Sequence, residues 1–149
     1  MTMTDTTWGL PDPDTAPEFY ADVPLKRFIA WVIDALLIGI LTALAVPFTL
    51  FSGLFFLPLL FLVIGFLYRW FTISSWSATP GMRLASIEFR TARGDRFDSG
   101  AAFLHTLGYT VSVSVFPLQL VSIVLMLISD RRQGLTDHVL GTAALNRTA

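Results

Sequence analysis

Three long apolar stretches dominate the chain, and its charged residues gather before, between and after them. Residues 27–46 and 52–73 are each apolar and long enough to cross a hydrocarbon core about 30 Å thick. Pro47 and Ser52-Gly53 mark an uncharged turn between them, so the pattern predicts a transmembrane helical hairpin. The third stretch, residues 101–128, is interrupted by His105, Gly108, Tyr109, Ser112, Ser114, Pro117 and Gln119. Pro117 removes a helical hydrogen bond near its centre. At about 1.5 Å per residue this stretch is too short for two full crossings. We put first a pair of half-helices bent at Phe116-Pro117 and packed against the hairpin, which is permitted where irregular backbone is covered by protein. A strongly tilted path is placed beside this one, and a straight crossing is the alternative.

Between the second and third stretches, Ala85, Ile87 and Phe89 alternate with Leu84, Ser86, Glu88 and Arg90, a period of two that reads as a strand ending in a turn at residues 91–95. Residues 141–145 are a second candidate strand, expected to pair with the first. The expected fold class is thus an all-α membrane protein: a hairpin, a third and bent membrane helix, and short strand-like segments on the cytoplasmic face.

Charge sets the expected orientation. Lys26 and Arg27 precede the first span, Arg69 ends the second, and Arg83, Arg90, Arg93 and Arg96 follow it, so the positive-inside rule puts both outer ends of the hairpin in the cytoplasm. A simple third crossing would leave Arg131 and Arg132 outside, a further reason for the bent path. Residues 1–24 hold Asp5, Asp12, Asp14, Glu18 and Asp22 with four prolines, a composition that buries little and predicts a flexible tail before a membrane domain at 25–147. The first span reads as retained, because basic residues come only at Lys26 and Arg27 and no small-residue cleavage site follows.

Composition narrows the chemistry. Apolar residues make up 54% and charged ones 14%, against about a quarter charged in ordinary soluble domains. With no cysteine and only two histidines, thiolate chemistry is excluded and a metal site is not expected. A net charge of −1 argues against a nucleic-acid partner. No P-loop, dinucleotide fingerprint, HExxH or Gly-x-Ser-x-Gly is present, and no enzyme activity or cofactor is expected.

Asp34 is the most informative residue. Apolar residues of the first span each favour insertion by roughly 0.3 to 0.6 kcal/mol, while a central aspartate opposes it by roughly 2.5 to 3.5. The span tolerates Asp34, yet insertion does not ask for it, so a structural partner or a functional load must explain it. Arg27, two turns earlier, shares its stripe without reaching it. Arg69, opposite the first turns of span one in a tight hairpin, and His105 are its candidate neighbours. For Arg27 an interfacial role is expected, and for His105 a hydrogen-bonding one. Trp31, Tyr68, Trp70 and Trp76 read as interfacial anchors, and Asp137 as the cap of a short terminal helix.

These residues resemble the RDD family of bacterial membrane proteins, named for one arginine and two aspartates, over about residues 24–146. Arg27 and Asp34, in Lys-Arg-Phe-Ile-Ala-Trp-Val-Ile-Asp, match the arginine and first aspartate. Thr79-Pro80-Gly81-Met82-Arg83-Leu84 is similar to the family's Thr-x-Gly-x-Arg-Leu, and Leu135-Thr136-Asp137-His138-Val139-Leu140-Gly141-Thr142 to its closing Leu-His-Asp-x-x-x-Gly-Thr, which makes Asp137 the second aspartate. Thr136 stands where the family usually has histidine. The resemblance implies a multi-pass bacterial inner-membrane protein with a cytoplasmic N-terminus and a part in transport, some members being reported to exchange sodium for protons. The expectation is a proton, monovalent cation or other small ligand bound at Asp34, with Arg27 and Arg83 at the cytoplasmic entrance and Asp137 ordering it. Three spans enclose a pathway poorly, so a homo-oligomer or a membrane partner protein is expected beside the lipid bilayer. The rival is a non-transporting scaffold or assembly factor tied together by Arg27, Asp34 and Asp137.

Overall fold

The computed structural model describes residues 9–147. Helix α1, Val23–Ala45, starts with a proline at its first turn, where the missing N–H costs no helical bond. Its buried residues, Val23, Ala30, Asp34, Ile38 and Thr42, form one narrow stripe at helical spacing. The rest of its surface stays exposed and apolar, including Phe28, Leu36, Ile40 and Leu44. Short 3-10 turns, Pro47–Thr49 and Ser52–Phe56, lead into α2, Leu57–Trp76. The two helices meet along the α1 stripe, where Gly65 faces Ile38.

After α2 comes a short helix, α3, Pro80–Leu84. Thr79 caps it by accepting from Met82 N–H. Strand β1, Ile87–Arg90, pairs antiparallel with β2, Ala143–Asn146, from Ile87 opposite Asn146 to Arg90 opposite Ala143. Ile87 and Phe89 point into the core and Glu88 and Arg90 are half-buried, as the alternation predicts.

The third apolar stretch is broken. Helix α4, Ser99–Ser114, and helix α5, Phe116–Ile128, are bent by 116° at Val115. Pro117 lies in the first turn of α5, where it is tolerated, so the break falls just before it. Ser112 donates to Gln119 across the bend at 2.8 Å. Helix α6, Leu135–Leu140, then packs against both α4 and α5. Added side chains at Gly108 and Gly134 would strike Thr136 and Met126 respectively at 2.6 Å, so glycine permits this close approach.

The main core lies at the end of the molecule where the sheet sits. Val23, Ala30, Ile73, Met82, Ile87, Phe89, Phe97 and Ala102 pack together there. Residues 9–24 belong to this end, contrary to the flexible tail expected from their composition; residues 1–8 of that tail lie outside the described residues. Leu10 and Tyr20 are buried against Ala143 and Leu145. Tyr20 donates to Pro11 O at 2.7 Å, and Asn146 Nδ2 donates to the carbonyls of Glu18 and Ala21 at 2.7 and 2.8 Å. Two apolar anchors and these backbone contacts outweigh the acidic, proline-rich composition.

Candidate functional site

Both aspartates singled out in the sequence are buried, but they are held by different chemistry. Asp34, 2% exposed, is met from three directions. Tyr68 Oη on α2 donates to Oδ1 at 2.7 Å, Gly81 N–H at the start of α3 donates to the same oxygen at 2.9 Å, and Thr79 Oγ1 donates to Oδ2. Gly81 has no alternative: an added Cβ would lie 2.3 Å from Ala30 O and 2.9 Å from the Asp34 carboxyl carbon. The Thr-Pro-Gly segment is therefore a clamp on α1, with a hydroxyl and an amide placed on one carboxylate.

Asp137, 0% exposed, is held by charge as well as by hydrogen bonds. Arg27 Nη1 reaches Oδ2 at 2.6 Å, His105 Nε2 donates to Oδ1 at 2.8 Å, Thr142 Oγ1 donates to Oδ1 at 2.8 Å, and Gly134 N–H donates to Oδ2 at 3.1 Å. Burial opposes its ionisation, but the Arg27 guanidinium and the hydrogen bond from His105 hold the carboxyl well below the usual carboxylate range. The Phe89 ring lies 4.2 Å from the His105 ring and under the Arg27 guanidinium at 5.4 Å, which shields the pair from water. Residues from α1, α4, the approach to α6 and the turn into β2 thus converge on one carboxylate.

Several expectations are corrected by this geometry. Arg27 is not a simple interfacial cation, because it makes the ion pair with Asp137. Neither Arg69 nor His105 partners Asp34, and no ion pair to Asp34 occurs among the described residues. Arg69 instead lays its guanidinium over the Tyr109 ring at 3.9 Å. Arg83 is exposed and stacks on Trp76 at 4.7 Å, away from both carboxylates. Asp137 does accept from the backbone before α6, so its capping role joins the ion pair. Tyr68 was missed as a partner: Asp34 and Tyr68 stand at similar distances from the turn between the spans, which was the available signal. Trp31 donates to Tyr109 Oη at 2.8 Å, so it does more than anchor the chain at an interface.

Between these two fastenings lies a cavity of about 640 Å³. Asp34, Arg69, Tyr109 and Asp137 line it, together with α5 residues such as Ser122 and Ile123. Its walls are otherwise mainly apolar, the character of small-molecule sites in which a few placed polar groups fix orientation.

Fold and site together define a small, mostly helical protein with two helices long and apolar enough to cross a membrane, or three with the bent pair taken as one. The chain belongs to the RDD family, whose model matches residues 22–141 and so takes in Arg27, Asp34, the Thr-Pro-Gly clamp and Asp137. Searches of curated proteins and of solved structures found no match.

Proposed function

We propose that this protein is a transport component of the bacterial inner membrane, with Asp34 the carboxylate that takes up a proton or a monovalent cation from the cavity. The observation that carries this reading is that Asp34 is buried, lines the cavity and, among the described residues, is held only by uncharged donors. A carboxylate neutralised by an arginine has no reason to exchange a cation. One held by hydroxyls does, because the Tyr68 and Thr79 hydroxyls can turn and offer oxygen in place of hydrogen. Asp137 and Arg27 form the fixed end against which this site is built, with the N-terminus and the sheet end on the cytoplasmic side. Three membrane elements enclose a pathway poorly, so the working unit is a homo-oligomer or a complex with a membrane partner.

Flux measured in proteoliposomes of the purified chain tests the reading. Wild type is expected to show proton- or monovalent-cation-dependent flux. Asp34→Asn is expected to lose it while still giving folded protein. Loss of the reading follows if wild type shows no such flux, or if Asp34→Asn leaves it unchanged. The scaffold reading draws on the donor-filled surroundings of Asp137. It expects no flux in any variant, and folded yield falling with either aspartate.

A further inference from the structure

Arg69 is a buried charged group that makes no ion pair among the described residues. It is 8% exposed, lines the cavity, and has one face stacked on Tyr109. Its Nε is buried without a hydrogen-bond partner, and no hydrogen bond or ion pair from its guanidinium occurs among the described residues. An unpaired guanidinium is costly in low dielectric. The carboxylates that share the cavity make their hydrogen bonds and ion pairs with other groups. Asp34 holds Tyr68, Thr79 and Gly81, and Asp137 holds Arg27, His105, Thr142 and Gly134.

We propose that Arg69 is the receptor for the head group of an anionic amphiphile, a carboxylate or phosphate carried on a hydrocarbon chain. Three features converge on that class. The guanidinium carbon lies over the ring of Tyr109, whose hydroxyl accepts from Trp31, and its N–H groups make no hydrogen bond among the described residues, which leaves donors for an oxyanion. A planar fork of N–H groups matches carboxylate or phosphate in a bidentate pair. The surrounding walls are apolar, and lining residues Leu25, Phe28, Ile123 and Leu127 are also exposed on the outer surface, so a chain can run from the cavity towards surrounding lipid. A volume of about 640 Å³ lies within the range of small-molecule sites. This inference rests on the cavity being the ligand site proposed above, but not on what Asp34 carries.

A head-group series on the full-length protein in neutral maltoside detergent tests it. Binding and melting temperature are measured with palmitate, lysophosphatidate, hexadecanol and hexadecyltrimethylammonium. Palmitate or lysophosphatidate is expected to bind about 10-fold or more tighter than hexadecanol and to raise the melting temperature, because charge-assisted hydrogen bonds separate them from the alcohol. Whichever anion gives the larger shift assigns carboxylate or phosphate as the head group. Arg69→Gln is expected to bind palmitate no better than hexadecanol. Should that variant fail to fold, the wild-type series decides alone. Equal binding of hexadecanol and palmitate overturns the anion receptor while leaving the cavity as a ligand site. Preference for the ammonium amphiphile, or binding of none, also overturns it. Asp34-dependent flux is read separately and does not depend on any of these results.

Discussion

Two buried aspartates in one small chain are stabilised in opposite ways. Asp137 sits at the dense, sheet-bearing end, neutralised by Arg27 and bonded to His105, Thr142 and Gly134. Asp34 sits farther along α1, where it has hydroxyl and amide donors and no cation within ion-pair distance among the described residues. The contrast teaches that burial of a carboxylate does not by itself define its role. A carboxylate locked by charge between four chain segments is a fastener, whereas one held by hydroxyls that can rotate has the setting that the proposed exchange requires.

The largest effect is expected at the fastener. Asp137→Asn leaves the partly buried Arg27 without its counter-ion, a loss of about 3 kcal/mol. Folded, monodisperse protein is expected to disappear from size-exclusion chromatography. Acid is expected to act in the same direction. Asp137 is held below its ordinary value of 3.8, so the stability it contributes is complete above that value and is lost as pH falls from it towards the folded pKa. Melting temperature measured across acidic pH is expected to fall most steeply below about pH 4 in the wild type. A flat profile there would mean that the ion pair does not hold this end together.

At Asp34 the expected effects are smaller. Gly81→Ala pushes a methyl group to within 2.3 Å of Ala30 O and must lift the clamp from α1. Overpacking of this kind costs about 1–3 kcal/mol, read as a lowered melting temperature. Asp34→Asn keeps the shape of the side chain and exchanges charged for neutral hydrogen bonds, a loss of about 1–2 kcal/mol. Tyr68→Phe removes one donor from Asp34 and is expected to cost about 1 kcal/mol, the smallest change in the series. An Asp34→Asn cost as large as that of Asp137→Asn would erase the distinction between the two sites.

The helical part of this fold is written plainly in the sequence. Apolar length alone marks α1 and α2, and the polar interruptions with Pro117 mark the break between α4 and α5, because a proline is accepted at a helix start and not inside one. The alternation at Ile87 and Phe89 marks β1. Long-range pairing is less legible. Arg27 has the composition of any interfacial cation, and nothing local ties it to Asp137 across most of the chain. Residues 9–24 look disordered by composition, yet Leu10 and Tyr20 suffice to dock them once β2 supplies a surface. Tyr68 and Arg69 lie at the end of an apolar span, where aromatic and basic residues are expected for membrane reasons, and this masked the hydrogen bond of one and the missing counter-ion of the other.

The division of labour between the two aspartates is tested most directly by proton and monovalent-cation flux of Asp34→Asn in proteoliposomes, scaled to the amount of folded protein recovered. A variant that folds and no longer carries flux is the expected result. Undiminished flux per folded molecule would contradict it.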